Sequence, residues 1–340
     1  MRIAIALTAL TLFATTANAQ TTLTGAGSTF AFPLYSKWSS EFGKSHAGAR
    51  VNYQSIGSGG GVKQISERTV DFGATDSPMT DDELKKAAGV LHVPTALGAV
   101  VVVYNGMPDG VRLGADLLAD IYLGKVTKWN DPRLAALNPG MKLPDQAITV
   151  VHRSDGSGTT GVFTDYLAKV SPEWKAKVGA AKSVKWPVGM GGKGNEGVTG
   201  LSKQLPGAIG YVELAYANQN HLPIALIRNV DGEFVRASVE STSEAAKGVV
   251  LPPDFRVSIT NAKGKGAYPI ASFTYALVYK EQPDAVKGKL LVDFLWWGIH
   301  DGQKLGQALD YAALPTPVVA RVEEELRSVT AAGKAILNAR

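Results

Sequence analysis

Three short segments of this 340-residue chain are built from glycine and small, mostly hydroxylated residues: Gly25 to Thr29, Gly57 to Gly61 and Asp155 to Thr159. Each stands between an expected strand and an expected helix. A helix start offers unpaired N–H groups and a partial positive charge, and glycine lets the backbone come close to a bound group. Serine and threonine add hydroxyl donors at the same points. Any one junction is explained by ordinary N-capping. Three of them, at the carboxyl ends of strands in an α/β sheet, fall where such sheets bind ligands. The chemistry on offer is that of a cradle for an anion.

Arg153 lies inside the third junction, two residues before Asp155. It reads as a fixed cation for an oxyanion, with Asp155 holding its guanidinium in place; the plain alternative is a surface ion pair. Asp76, after the expected strand Phe72 to Thr75, is the odd member. It would pass as an ordinary turn residue. Beside anion-binding loops, however, a carboxylate repels the ligand unless the ligand brings a proton. Hydrogen phosphate does, and sulfate at neutral pH does not.

Rival motifs fail on their context. Gly156 to Gly161 has P-loop spacing, but Val162-Phe163 replace the Lys-Ser/Thr that would follow. Gly189-x-Gly191-x-x-Gly194 matches a dinucleotide fingerprint, yet it follows Trp186-Pro187 and reads as a glycine-rich surface loop. No Ser stands in G-x-S-x-G and no H-E-x-x-H occurs. The five histidines are dispersed, and His152 is expected to point away from Arg153 by strand alternation. Without cysteine there is no disulfide, thiolate metal site or lipid-attachment point. No metal or cofactor is expected.

The elements that would carry these junctions alternate in type. Strands are expected at Gln20 to Thr24, Arg50 to Gln54, Phe72 to Thr75, Leu97 to Tyr104 and Ile148 to Val151. Helices are expected around Phe32 to Phe42, from Val62 through Val70, after the Thr80 to Glu83 capping box, near Leu113 to Leu123 and over Val162 to Val170. This alternation implies a mostly parallel α/β sheet. The length suggests two lobes, with one inserted in the other and two crossings between them: 20–104 plus 270–340 as lobe I, and 105–269 as lobe II.

Arg2, the apolar run Ile3 to Thr16 and Ala17-Asn18-Ala19 have the form of a secretory signal peptide covering 1–19, cut after Ala19. Arg2 is its only charge, so a net charge of +5 becomes +4 in the mature chain. Lys and Arg are scattered, with no basic run and no basic-aromatic platform, so nucleic acid is not an expected partner.

Leu23 to Phe30, Tyr53 to Asp76, Asp120 to Lys125, Arg153 to Thr159, Trp186 to Gly197 and Leu205 to Glu213 together resemble the PstS family of periplasmic phosphate-binding proteins. The likeness spans nearly all of the mature chain and thins around Leu226 to Gly264 and after Pro315. It implies a two-lobed type II periplasmic binding protein that closes over one dehydrated phosphate in the cleft between lobes. It also implies a monomer that delivers phosphate to the membrane permease subunits of an ABC transporter. Carried over by position, Thr29 and Phe30 supply N–H groups, the Thr29 hydroxyl adds a donor, and Ser58 gives its hydroxyl and N–H. Asp76 accepts the phosphate proton, Arg153 makes the charged contact and Asp155 anchors it. Ser157, Gly158 and Thr159 complete the cradle. Ala31-Phe32 departs from the usual Pro and small residue, and Gly59 stands where Ser is common. A secreted phosphatase-like enzyme, or a binder of another oxyanion on the same fold, is the competing reading.

Overall fold

The computed structural model describes residues 20–337. The expected signal peptide lies outside the described residues. Eight strands form the main sheet: β1 (Thr21–Gly27), β2 (Ala49–Ser55), β3 (Phe72–Thr75), β4 (Val90–Tyr104), β5 (Thr149–Arg153), β6 (Met190–Gly192), β7 (Ala208–Glu213) and β8 (Ala271–Tyr279). Their order across the sheet is β2-β1-β3-β8-β4-β7-β5-β6.

The sheet is mixed, which corrects the mostly parallel expectation. β1 runs parallel to β2 and β3, and β5 runs parallel to β6 and β7. Three central interfaces are antiparallel: β3 with β8, β8 with β4, and β4 with β7. The reason is a late return of the chain. β8 re-enters between β3 and β4, and no local pattern announces that insertion.

β4 joins the two halves. Its first part, Val90 to Ala99, pairs with β8, and Val100 to Tyr104 pairs with β7. It is longer than the expected Leu97 to Tyr104 and is buried at every position but Leu91. A run of Val and Ala covered on both faces suits a central strand.

The helices that matter for the site are α1 (Phe32–Ser45), α2 (Ser58–Ser66), α3 (Asp81–Lys86), α4 (Gly158–Val170), α5 (Gly194–Gln204) and α6 (Ala285–Ile299). α1 buries Leu34, Tyr35, Trp38 and Phe42 along one stripe. Tyr35 meets Tyr53 edge-on at 5.1 Å, and Phe42 meets Phe294 of α6 at 5.3 Å. The Trp38 indole donates to the Gly302 carbonyl at 2.8 Å. Burying side chains of this size stabilises by about 1.5–3 kcal/mol each, so the start of α1 is firmly held behind the site. α3 opens on the expected Thr80–Glu83 capping box.

α2 and α4 both begin earlier than their apolar residues suggest. Gly59 to Gly61 lie inside the first turns of α2, and α4 starts at Gly158, directly after Ser157. Ser157 caps α4 by accepting from the Thr160 N–H at 3.0 Å. Helix starts made of glycine and hydroxyl residues leave no hydrophobic period to read. Among the described residues no helix is long and apolar enough to cross a membrane.

Candidate functional site

The carboxyl ends of β1, β3 and β5 and the N-termini of α2, α4 and α5 converge on one small buried space. All nine sequence-predicted residues lie around it: Thr29, Phe30, Ser58, Asp76, Arg153, Asp155, Ser157, Gly158 and Thr159. Each is buried except Asp155, which is half-buried.

Asp76, just beyond β3, is 1% exposed. Its Oδ1 accepts from the hydroxyls of Ser28 at 2.5 Å and Thr274 of β8 at 2.8 Å, and its Oδ2 accepts from Ser58 at 3.3 Å. These donors are neutral. Burial therefore dominates and pushes the carboxyl from its ordinary 3.8 up to about 6, against the pull of the hydroxyls and the Arg153 charge.

Across the space, β5 ends on Arg153, whose side chain is buried. Its Nε and Nη2 donate to the two oxygens of Asp155 at 2.8 and 2.6 Å, a bidentate pair, and Nη1 donates to Thr159 Oγ1 at 3.4 Å. Asp155 also accepts from the Gly194 N–H at 3.0 Å. Burial alone would raise Asp155, but the Arg153 hydrogen bonds and charge outweigh it and hold the carboxyl below its ordinary value. The His152 ring stacks on Trp186 at 4.8 Å, on the opposite side of the strand, as alternation requires.

The two halves touch at glycine. Gly57, which precedes α2, has φ +84°, and a Cβ there would lie 2.3 Å from Asp155 Oδ2. A Cβ on Gly158 would lie 2.4 Å from both Asp76 Oδ2 and Ser58 Oγ. The Gly59 N–H donates across the gap to the Gly156 carbonyl at 2.8 Å. Farther out, Lys182 reaches the Pro78 carbonyl at 3.0 Å and Glu83 at 2.8 Å, and Arg256 reaches the Met79 carbonyl at 3.1 Å and Asp81 at 2.7 Å. The halves are thus drawn together around the cradle.

Donors aimed at the space come from several elements. Among the described residues the N–H groups of Thr29 and Phe30 have no hydrogen-bond partner. Ser58, Gly158 and Thr159 are first-turn residues whose N–H groups have no intrahelical acceptor. Phe30 packs against Tyr311 edge-on at 6.2 Å, and the Tyr311 hydroxyl donates to the Phe30 carbonyl at 2.5 Å. Chemically this is a buried site with many donors, one cation with its own counterion, and one acceptor whose pKa is raised to about 6. Among the described residues no group of three or more His, Cys, Asp or Glu side chains is placed to hold a metal ion.

Sequence reasoning missed Ser28 and Thr274 as partners of Asp76, and it missed Asn195 altogether. The stretch Gly189 to Gly194 does lie at the surface, with Gly189, Met190, Gly191 and Lys193 exposed, but it is not a loop: it forms β6 and opens α5, and Gly192, Gly194 and Asn195 are buried. Its signal was available, since Gly-Asn at a helix start is a fourth junction of the kind already identified.

The profile of the PBP superfamily domain matches residues 14–299. A phosphate-binding protein PstS of Xylella fastidiosa is 48% identical over 306 residues, covering 88% of this chain and 84% of that protein. The phosphate-bound structure of a high-affinity periplasmic phosphate-binding protein, PfluDING, superposes with a TM-score of 0.72 at 21% identity, over 89% of this chain and 93% of that one. A Clostridium perfringens chain assigned to phosphate ABC transport as a substrate-binding protein, also with bound phosphate, gives a TM-score of 0.66 at 20% identity over 87% and 100%. With relatedness of this extent and the two-lobed fold in common, the chain belongs to the PstS family of phosphate-binding proteins within the PBP superfamily.

Proposed function

We propose that the chain binds one inorganic phosphate between two lobes and delivers it to the permease subunits of an ABC importer. The lobes are 20–104 with 270–340, and 105–269, so that the chain crosses between them twice, once through β4 and once before β8. The observation that carries the reading is Asp76: a buried carboxylate, held by neutral hydroxyls, inside a cradle otherwise made of donors. An anion with no proton meets repulsion there. Phosphate near neutrality donates its O–H to Asp76 while its remaining oxygens accept from the N–H groups of Thr29, Phe30, Ser58, Gly158 and Thr159. The Thr29, Ser58, Ser157 and Thr159 hydroxyls add donors, and Arg153, oriented by Asp155, supplies the positive charge.

Contacts come from both lobes, so ligand favours the closed form, in which every donor is engaged at once. The role is transport rather than catalysis, in keeping with relatives named for phosphate binding and for phosphate ABC transport. A secretory leader places the mature protein in the periplasm, as a monomer. The test is native mass spectrometry of purified protein, followed by titration with phosphate. A bound mass equal to one phosphate, and saturable one-to-one binding, are expected. No phosphate uptake by the stripped wild-type protein would overturn the reading.

A further inference from the structure

Asn195, at the start of α5, has no exposed surface. Its Oδ1 accepts from the Glu213 N–H at 2.9 Å, which fixes the amide so that Nδ2 faces the cradle. From there Nδ2 donates to Thr29 Oγ1 at 2.7 Å and to Thr159 Oγ1 at 3.2 Å. The Asn195 backbone N–H also donates to Thr29 Oγ1, at 3.2 Å. One amide thus touches a hydroxyl from each side of the cleft.

The consequence follows from counting lone pairs. A threonine hydroxyl has two acceptor positions and one proton. Thr29 Oγ1 accepts twice from Asn195, so its acceptor positions are used. Thr159 Oγ1 accepts from Asn195 Nδ2 and from Arg153 Nη1. Each hydroxyl keeps only its proton, and each can act toward a ligand only as a donor.

The geometry points to Asn195 as a positioning residue that sets the polarity of both threonine hydroxyls, one per lobe, and so makes the cradle accept an anion only when the lobes are closed. It rests on the phosphate reading above and concerns a residue outside the anion's own contacts. Without the amide, either hydroxyl is free to turn its lone pairs toward the ligand, and the bridge between lobes is lost. The Thr29 carbonyl, held by the Tyr216 hydroxyl at 2.7 Å, keeps its loop in place whatever stands at 195.

The test is a double-mutant cycle read by phosphate calorimetry, with Asn195→Ala made alone and in a Thr29→Val background. Asn195→Ala should weaken phosphate binding by roughly ten- to a hundredfold, the range of hydrogen bonds that serve a charged group. In the Thr29→Val background the same change should cost much less, because one of the two hydroxyls it orients is gone. A purely structural role would instead lower the melting temperature of the phosphate-free protein and cost the same in both backgrounds. Equal losses in the two backgrounds, or an Asn195→Ala affinity within about twofold of wild type, would overturn the inference. If Asn195→Ala does not fold, Asn195→Ser enters the same cycle and is judged by the same outcomes. Wild-type protein that binds no phosphate would overturn the functional reading instead, so the two failures are distinguishable.

Discussion

Asp76 and Asp155 are carboxylates of one site, each on a loop that follows a strand, and their surroundings treat them oppositely. Asp155 faces the Arg153 guanidinium through two hydrogen bonds and is held below the ordinary carboxylate range. Asp76 has three hydroxyl donors and a more distant arginine, and burial lifts it to about 6. The difference teaches what each can do. Asp155 is committed to its arginine and presents no free acceptor to a ligand. Asp76 sits near the point of gaining a proton, so a ligand that supplies one as a hydrogen bond offsets the cost of burying its charge. One carboxylate builds the cation, and the other tests what the cation attracts.

Removing the cation should have the largest effect. Arg153→Ala deletes the arginine of the cradle and leaves Asp155 half-buried with backbone N–H groups, that of Gly194 among them, as its remaining partners. Losing one partner of a buried charge pair typically costs about 2–5 kcal/mol, so calorimetry should register a drop of roughly thirtyfold to several thousandfold in phosphate affinity. A drop below about tenfold would mean that helix-terminal N–H groups balance the anion and that the contrast between the carboxylates is incidental.

A smaller effect concerns stability in the absence of phosphate. The pKa of Asp76 is raised on folding, so its contribution is fully present below 3.8 and is lost as pH rises through about 6. Asp76→Asn removes a charge that the closed form buries, so the phosphate-free protein should be more stable than wild type at pH 8, by up to about 3 kcal/mol. That gain should fade toward pH 4, where wild-type Asp76 is protonated. Chemical denaturation of phosphate-free protein at the two pH values reads it. An equal difference at both would place the Asp76 carboxyl in the same state throughout and remove the contrast with Asp155.

Much of this contrast was legible before the fold was known. Arg153 and Asp155 are two residues apart on one strand end, and Asp76 follows a short apolar strand, so local pattern placed all three. The glycine-hydroxyl junctions pointed to the carboxyl ends of their strands. What local pattern lacked was long-range pairing. Thr274 reaches Asp76 only because β8 inserts beside β3, a meeting of residues 198 apart in the chain. Asn195 escaped because β6 has three residues, two of them glycine, and gives no strand period. The early starts of α2 and α4 escaped for a related reason, since glycine and hydroxyl residues occupy the first turns where apolar spacing was sought.

The central claim is that Asp76 selects its ligand by the ligand's proton, and phosphate and sulfate test it directly. Both are tetrahedral and of similar size, so the N–H groups and hydroxyls treat them alike; only phosphate has an O–H near neutrality. A site built to take a ligand hydrogen bond can reject an analogue lacking it by about 10⁴–10⁵, because a buried group is left unpaired. The measurement is calorimetric titration of wild type and Asp76→Asn with both anions at pH 7. Wild type should bind phosphate and exclude sulfate, whereas Asp76→Asn, with an amide donor in place of the charge, should gain sulfate affinity as its phosphate-to-sulfate ratio falls. Equal discrimination by the two proteins would contradict the account.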